Sequence, residues 1–260
     1  MRWFHSKKYP FALLLIFIAI WVLTAINPSY PSDFILESAL TFIFIPVLIF
    51  TYRKFPLSHL SYTLIFVFMA LHSIGAHYTY AEVPYNKWSQ AWLGISLNEV
   101  FGFSRNHFDR LAHFSFGLLL AYPIREVFMR IANVKGFWAY YLPFDVTAAL
   151  SMAYELIEWA VALIFGGDLG MAYLGTQGDI WDAHKDMALA VTGAAISMAV
   201  VAFFNYLYKR DFAKDFGKSL SVKRKMPLGE VELQIMKNKN NKIEIQKFKI
   251  KKERMNVKRK

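Results

Sequence analysis

The stretch Met187–Tyr208, MALAVTGAAISMAVVAFFNYLY, decides the fold, because it is long and contains no charged side chain. A bilayer core of about 30 Å is crossed by about 20 residues of helix, so this stretch predicts a membrane span. Similar, mostly shorter, apolar stretches recur along the chain: Phe11–Ile26, Phe34–Phe50, Leu60–Ala76, Leu111–Ile124 and Tyr140–Phe165. Together they predict an all-α, polytopic membrane helix bundle with six transmembrane helices.

The composition of the 260-residue chain supports a membrane protein. Hydrophobic residues make up 56% and charged residues 19%, whereas soluble domains carry roughly 25% charged residues. An ordinary soluble domain and extensive disorder are therefore excluded. The chain has no cysteine, which excludes disulfides, thiolate metal sites and cysteine nucleophiles.

The basic residues outside the apolar stretches predict the topology. Loops with Lys or Arg alternate with loops that have few or none. The basic ones are the segment before the first stretch (Arg2, Lys7, Lys8), the second loop (Arg53, Lys54), the fourth loop (Arg125, Arg130, Lys135) and the C-terminal tail. Cytoplasmic loops are enriched in Lys and Arg, so both termini are predicted to be cytoplasmic. The protein is therefore expected to be a multi-pass membrane protein.

The chain divides into a six-helix transmembrane domain, residues 1–208, and a basic cytoplasmic tail, residues 209–260. The tail holds 18 Lys and Arg against 6 Asp and Glu, so the net charge of +11 belongs to it and a nucleic-acid partner is not expected. Alternating residues on either side of Asn238–Asn241 are consistent with a small hairpin. The expected partners are the lipid bilayer and, for the tail, anionic inner-leaflet lipids. A solvated, flexible tail is the alternative.

Acidic residues and histidines collect on the predicted extracytoplasmic side, in four segments far apart in sequence. These are His72 and His77 near the end of the third span, His107, Asp109, Arg110 and His113 at the start of the fourth, Glu155 and Glu158 in the fifth, and Asp179, Asp182, His184, Lys185 and Asp186 at the entry to the sixth. A carboxylate at the centre of a spanning helix costs about 2.5–3.5 kcal/mol. Such residues are therefore expected to be paired, protonated or bound to a cation.

Helix spacing places several of these residues on shared faces. Asp109 and His113 are four residues apart, as are Asp182 and Asp186, so each pair can present two groups from one helix. Gly117 and Gly193 lie on the same two faces, which predicts close approach of the two helices there.

The acids outnumber the available cations, which predicts a metal ion, protons or a cationic substrate. Imidazole with carboxylate suits Zn²⁺, Mn²⁺ or Fe²⁺, although no H-x-x-x-H or H-E-x-x-H motif is present. Paired carboxylates near a histidine can also serve as an acid–base site. The simpler interpretations are a structural ion pair at Arg110 and helix capping by Asp179 and Asp182.

Four motifs, in order, resemble the YjdF-type bacterial inner-membrane proteins, a family without an assigned activity. They are HSIGAHYTY at 72–80, NHFDRLAHF at 106–114, YELIEW at 154–159 and GTQGDIWDAHKD at 175–186. Asp109-Arg110-x-x-His113-Phe114, Glu158 and Asp182–Asp186 are also distantly similar to VanZ-like membrane proteins. In this sequence, Trp159 stands where those proteins usually have a Gln directly after the Glu. That likeness implies a role in the cell envelope.

The leading hypothesis is an extracytoplasmic site that acts on a lipid-linked or envelope substrate. Its candidate catalytic residues are Glu155, Glu158, Asp182 and Arg110, where Arg110 would hold an anionic group. The candidate ligands of a divalent metal ion are Asp109, His113, Asp179 and Asp186, and the candidate substrate contacts are His72, His77, Thr176 and Gln177. A proton- or cation-coupled transporter and a structural or accessory protein with a helix-locking polar network are the alternatives.

Overall fold

The computed structural model describes residues 8–208, 212–222 and 228–257, and within them it contains helices and no strand. The helices are α1 Lys8–Thr24, α2 Pro31–Tyr52, α3 His59–His77, α4 Tyr85–Leu93, α5 Leu97–Phe101, α6 Phe108–Ile131, α7 Trp138–Phe165, α8 Gly167–Leu174, α9 Asp182–Tyr208, α10 Phe212–Ser219 and α11 Leu228–Val257. The all-α prediction is confirmed. Arg2 and Lys7, which entered the topology prediction, lie outside the described residues.

Four of the described helices are long and apolar enough to cross a membrane, namely α2, α3, α7 and α9, and α1 is apolar but shorter. The fourth predicted span falls within α6, whose ends are charged: Asp109 lies in its first turn and Arg130 in its last. The described residues thus include four candidate membrane-spanning helices. The number of six spans and the orientation remain predictions.

The long helices alternate in direction, as contacts at their ends show. The Tyr9 hydroxyl of α1 hydrogen bonds the Thr63 hydroxyl of α3 (2.7 Å), so both helices begin at one end of the bundle. The Ser58 amide before α3 donates to the Glu126 carboxylate of α6 (2.9 Å), so α6 finishes at that end. The start of α6 therefore lies at the opposite end, and so does the start of α9, because Arg110 of α6 binds Asp182 of α9 at 3.1 Å.

Helix α6 lies at the centre of the bundle. It packs most extensively against α9 and also against α3 and α7. On the side of α1 and α3, an apolar core of Phe17, Ile65, Phe68, Met69 and Leu120 buries its members almost completely. Apolar side chains in this core stay out of both water and lipid, and their packing fixes the helices that position the polar residues.

Two glycines allow α6 and α9 to approach backbone to backbone, as predicted. A Cβ atom on Gly117 would collide with the carbonyl oxygen of Ala190, and one on Gly193 would collide with the carbonyl oxygen of Phe114. No side chain larger than hydrogen fits at either position. The first turns of α6 and α9 are held close together as a result.

The tail differs from the hairpin considered above. Residues Leu220–Lys260 form a unit of their own, and Leu228–Val257 is one helix, α11. The segment is rich in Lys, Glu, Gln and Met, which have high helix propensity, while the Asn residues at 238–241 reduce it only modestly. Local propensity outweighed the alternating pattern, which spans only about five residues on each side of the asparagines.

Candidate functional site

The first turns of α6 and α9 bring three candidate ligands together. Asp109 and His113 lie on one face of α6, and Asp186 lies on the facing side of α9. One ligand atom from each of the three residues lies within 4.8 Å of the others. His113 and Asp186 are buried, and Asp109 is partly buried. The contact through Gly117 and Gly193 is what sets this separation.

Helix α7 adds two acids to this group. Glu155 Oε1 lies 3.5 Å from His113 Nε2, which is itself 3.6 Å from Asp109 Oδ1. Glu158, one turn along α7, is buried and interacts electrostatically with both Asp109 and Glu155. Buried Glu155 Oε1 and Asp186 Oδ1 have no hydrogen-bond partner among the described residues. Unsatisfied buried polar atoms are costly, so these two oxygens call for a ligand or a proton.

A layer of ion pairs lies at the entry to these helices. Arg105 and Arg110 both bind the Asp182 carboxylate, at 2.9 Å and 3.1 Å. Arg110 also binds Asp179 at 2.5 Å, and Lys185 binds the same Asp179 oxygen at 2.5 Å. The hydrogen bond from Lys185 is the largest of the effects that hold the pKa of Asp179 well below its usual range. The structure therefore places Asp179, a candidate metal ligand, in this layer of ion pairs.

The loop before α9 is tied to the loop before α6. The Arg105 guanidinium donates to the Thr176 carbonyl oxygen at 2.7 Å. The Gln177 side chain accepts from the Asn106 amide and donates to the Asn106 carbonyl, both at 3.1 Å. Thr176 and Gln177, predicted to contact a substrate, thus hold the two loops together.

The two histidines of α3 occupy different places. His72 is buried, and its Nε2 donates to the Glu37 carbonyl oxygen at 3.2 Å. Its Nδ1 therefore accepts from the Tyr80 hydroxyl. His77 instead donates through Nδ1 to the Thr24 carbonyl at 2.7 Å, so it links α3 to the end of α1. The structure does not bring His77 to the cluster of Asp109, His113 and Asp186.

Asp33 and Glu37 of α2 form part of the acidic region, and the sequence analysis missed both. They are 1% and 4% exposed. Tyr154 of α7 donates its hydroxyl to Glu37 Oε2 at 3.2 Å, and Glu37 interacts electrostatically with Asp33 and Asp109. A signal existed, because Glu37 lies within an apolar stretch and Asp33 four residues earlier, just before it, which is the same spacing as in α6 and α9.

Tyr80, in the loop after α3, lies beside the acidic residues of α2 and α6. Its side chain is buried, and burial, with a smaller contribution from the charge of Glu37, raises the pKa of its phenol well above the usual value. The hydroxyl therefore keeps its proton and can act as the donor to His72.

The charges of the site divide into two zones. In the outer zone, cations of Arg105, Arg110 and Lys185 neutralise two aspartates. The inner zone lies one turn deeper and contains two histidines, His72 and His113. It also contains five buried or partly buried carboxyl groups: Glu37, Asp109, Glu155, Glu158 and Asp186. None of the five forms an ion pair with Lys or Arg among the described residues. Such an arrangement suits a cation or exchangeable protons.

Comparison with known proteins places the chain in a family. The model of the family described as "Predicted membrane protein (DUF2238)" matches residues 9–206. The "Inner membrane protein YjdF" of Escherichia coli (strain K12) is 38% identical over 202 residues, which cover 77% of this chain and 91% of that protein. No solved structure matches. The resemblance to YjdF-type proteins and the inner-membrane location are confirmed, and the chain belongs to the DUF2238 family of membrane proteins.

Proposed function

We propose that this inner-membrane protein carries a divalent metal ion in the inner acidic zone and uses it on a lipid-linked or envelope substrate. The observation that carries the proposal is the convergence of Asp109, His113 and Asp186 from two helices, with the ligand atoms within 4.8 Å. The buried oxygens Asp186 Oδ1 and Glu155 Oε1, which form no hydrogen bond among the described residues, support it. A metal ion at this group would neutralise the carboxylates of Asp109 and Asp186 and would give Asp186 Oδ1 a partner.

The mixed donor set favours a particular kind of ion. One imidazole and several carboxylates suit Zn²⁺, Mn²⁺ or Fe²⁺ better than a soft ion, and the chain has no thiolate. A metal ion in such a site polarises a bound oxygen or lowers the pKa of a bound water. Glu158, beside the ligand group, is placed to accept or return a proton.

Arg110 has a different role in this proposal from the one expected. Its guanidinium is occupied by Asp179 and Asp182, so it positions α6 against α9 rather than binding an anionic substrate. Asp182, expected to be catalytic, is likewise committed to the two arginines. Both residues therefore hold the site in shape.

The proposal includes six spans with cytoplasmic termini and an extracytoplasmic site. The alternating direction of the long helices supports it, and so does the distribution of charge. The end of the bundle opposite to the acidic zone contains Lys8, Arg53, Lys54 and Arg130. Hydrogen bonds between Tyr9 and Thr63 and between Arg130 and the Pro56 carbonyl link the helix ends there. That arrangement agrees with the preference of Lys and Arg for cytoplasmic loops. Labelling of single cysteines introduced at exposed loop positions in intact cells tests it: a cysteine at Lys54 that reacts with an impermeant reagent would contradict it.

Elemental analysis of the purified full-length protein tests the metal site. We expect about one divalent ion per chain in the wild type and a large loss of it in His113→Ala and Asp186→Asn. His184→Ala is the matched control, because His184 is exposed and one turn or less from Asp186, and it should retain the metal. A wild-type protein that holds no metal after loading with Zn²⁺, Mn²⁺ or Fe²⁺ contradicts the proposal.

A helix-locking role is the second candidate, and the outer ion-pair layer favours it. The ion pairs of Asp182 with Arg105 and Arg110 tie the entry of α9 to α6 and to the loop before it. The two functions separate by substitution. Glu158→Gln should leave the thermal stability unchanged and abolish function if the inner zone is a working site, whereas loss of folded protein supports the structural role.

A further inference from the structure

An apolar groove lies between α1, α2 and α3, at the end of the bundle opposite to the acidic zone. Its volume is about 420 Å³, within the range of about 300–1,000 Å³ that is typical of ligand pockets. The lining extends from Tyr52 and Tyr62 at the mouth to Phe17 and Met69, and all of it except the two tyrosines is apolar. From Tyr62 to Met69 the α3 helix rises about 10 Å, so the groove is a deep site for hydrocarbon.

The groove exists because α1 and α2 pack on α3 and scarcely on each other. Trp21, near the end of α1, contacts Phe34 and Phe42 of α2, with ring centroids 6.2 Å and 5.5 Å apart. These contacts join the two helices toward the acidic end, and the groove separates them at the other end. Phe11 and Ile49 line the groove and are still 60% and 50% exposed. The groove therefore opens sideways, toward the hydrocarbon of the membrane.

The mouth of the groove combines tyrosines with cations. The rings of Tyr52 and Tyr62 lie 6.1 Å apart, and tyrosine is enriched at the depth of the lipid headgroups. Lys8 begins α1, while Arg53 and Lys54 directly follow α2, and all three are exposed. The ion pairs formed among the described residues involve other side chains. These three cations are therefore available to an anionic group at headgroup depth.

The groove and the cations contribute different parts of a binding site. Hydrocarbon tails are as apolar as leucine, so the groove can hold a tail but cannot distinguish one phospholipid from another. The headgroup above the tail meets the cations, and a guanidinium such as that of Arg53 can bind a phosphate through two hydrogen bonds. Each Lys or Arg near a membrane surface strengthens the binding of anionic lipid about fivefold. Charge complementarity thus selects an anionic headgroup.

We propose that the groove binds one acyl chain of an anionic phospholipid, whose headgroup is held by Lys8, Arg53 and Lys54. The site lies at the opposite end of the bundle from the acidic zone, and it does not depend on the proposed metal ion. It also differs from the attraction of the basic tail to a membrane surface, because a tail inserted between helices occupies a defined position. A bound lipid would join α1 to α2 where the groove separates them.

Quenching of a site-specific fluorophore by brominated lipids tests the inference. The chain has no cysteine, so a single bimane label can be attached to Leu15→Cys, beside the groove, or to Leu150→Cys on α7. Both positions are about half exposed and neither lines the groove. The full-length protein is reconstituted in phosphatidylcholine vesicles that contain brominated phosphatidylglycerol or brominated phosphatidylcholine. The ratio of the two quenching constants at each position removes the effect of depth.

We expect phosphatidylglycerol to be preferred about tenfold or more at position 15 and hardly at all at position 150. The double variant Arg53→Gln with Lys54→Gln should reduce the preference at least about fivefold. Lys135→Gln is the matched control, because Lys135 is an exposed cation in the loop after α6, at the same end of the bundle, and it should keep the preference. Leu14→Trp fills the groove and leaves the cations in place, so it should abolish the preference; Ile49→Trp serves if that variant does not fold.

Three outcomes would overturn the inference. The first is a preference at position 15 no greater than that at position 150. The second is a preference that survives both the removal of the cations and the filling of the groove. The third is a label at position 15 that neither lipid quenches, which would mean that a protein surface, such as a second copy of the chain, covers the groove.

Discussion

Replacement of Gly117 by alanine should destabilise the bundle more than a single methyl group normally does. Overpacking of a core costs about 1–3 kcal/mol when the surrounding side chains can move. Here the new Cβ would meet the backbone carbonyl of Ala190 and the amide nitrogen of Ala194. Neither can rotate away, so α9 as a whole must shift, and we expect a loss near the upper limit, about 3 kcal/mol. For a domain of 150–250 residues this corresponds to a decrease in Tm of roughly 6–12 °C.

Thermal unfolding in a mild detergent, followed by circular dichroism, measures this loss. Gly193→Ala should behave similarly, because its Cβ would meet the backbone of Phe114 and Leu118. Gly217→Ala is the control, since nothing lies within 4 Å of a Cβ there, and removal of a helical glycine should stabilise by about 0.5–1 kcal/mol. The shift of α9 would also weaken metal binding at Asp186. If Gly117→Ala melts at the wild-type temperature, the close contact of α6 with α9 is refuted.

Three further outcomes are expected in the same unfolding assay. Arg110→Gln leaves buried Asp182 with one arginine fewer and should cost about 3 kcal/mol, the lower limit for breaking a buried pair; Arg110→Lys should recover part of it. Because Lys185 lowers the pKa of Asp179, the stability from this pair is present above the ordinary aspartate pKa and is lost as the pH falls below about 4; Asp179→Asn should flatten that acid decline. Glu126→Gln removes a charged acceptor from the Ser58 amide before α3 and from the Ser61 hydroxyl of α3, and it should cost about 1–3 kcal/mol.

Periodicity in the sequence predicted the faces of α6 and α9 but not their complete environment. The four-residue spacing of Asp109 with His113, and the glycine on the same face, correctly placed these helices in close contact. The same reasoning assigned Asp179 to the metal ligands. Whether a carboxylate at a helix entry meets a metal group or an arginine depends on the path of the neighbouring loop, and the position of Arg105 could not be deduced from spacing.

The acids of α2 show a different limit. Asp33 precedes the apolar stretch closely enough to be interpreted as a helix-capping residue, and α2 does begin at Pro31. Only the packing of α2 against α3 and α8 turns Asp33 and Glu37 toward the interior. The tail illustrates the opposite case, since a short alternating pattern suggested strands where the composition favoured the helix α11. Patterns of about five residues discriminate poorly between the two structures.

The structural and the functional interpretations apply to different depths of the same bundle. Rigid placement of ligands is what a metal or acid–base site needs, because misplacement by about 1 Å lowers activity strongly. The arginine pairs with Asp182 fix the loops and first turns, and the glycine contact fixes the distance between α6 and α9 one to two turns deeper. Asp186 is therefore held against Asp109 and His113 by groups that need not touch a substrate themselves. A network that only locked helices would need no further acids beyond those pairs. The carboxylates of Asp109 and Asp186, which converge with His113 and form no ion pair with Lys or Arg among the described residues, are the reason to look for an ion there.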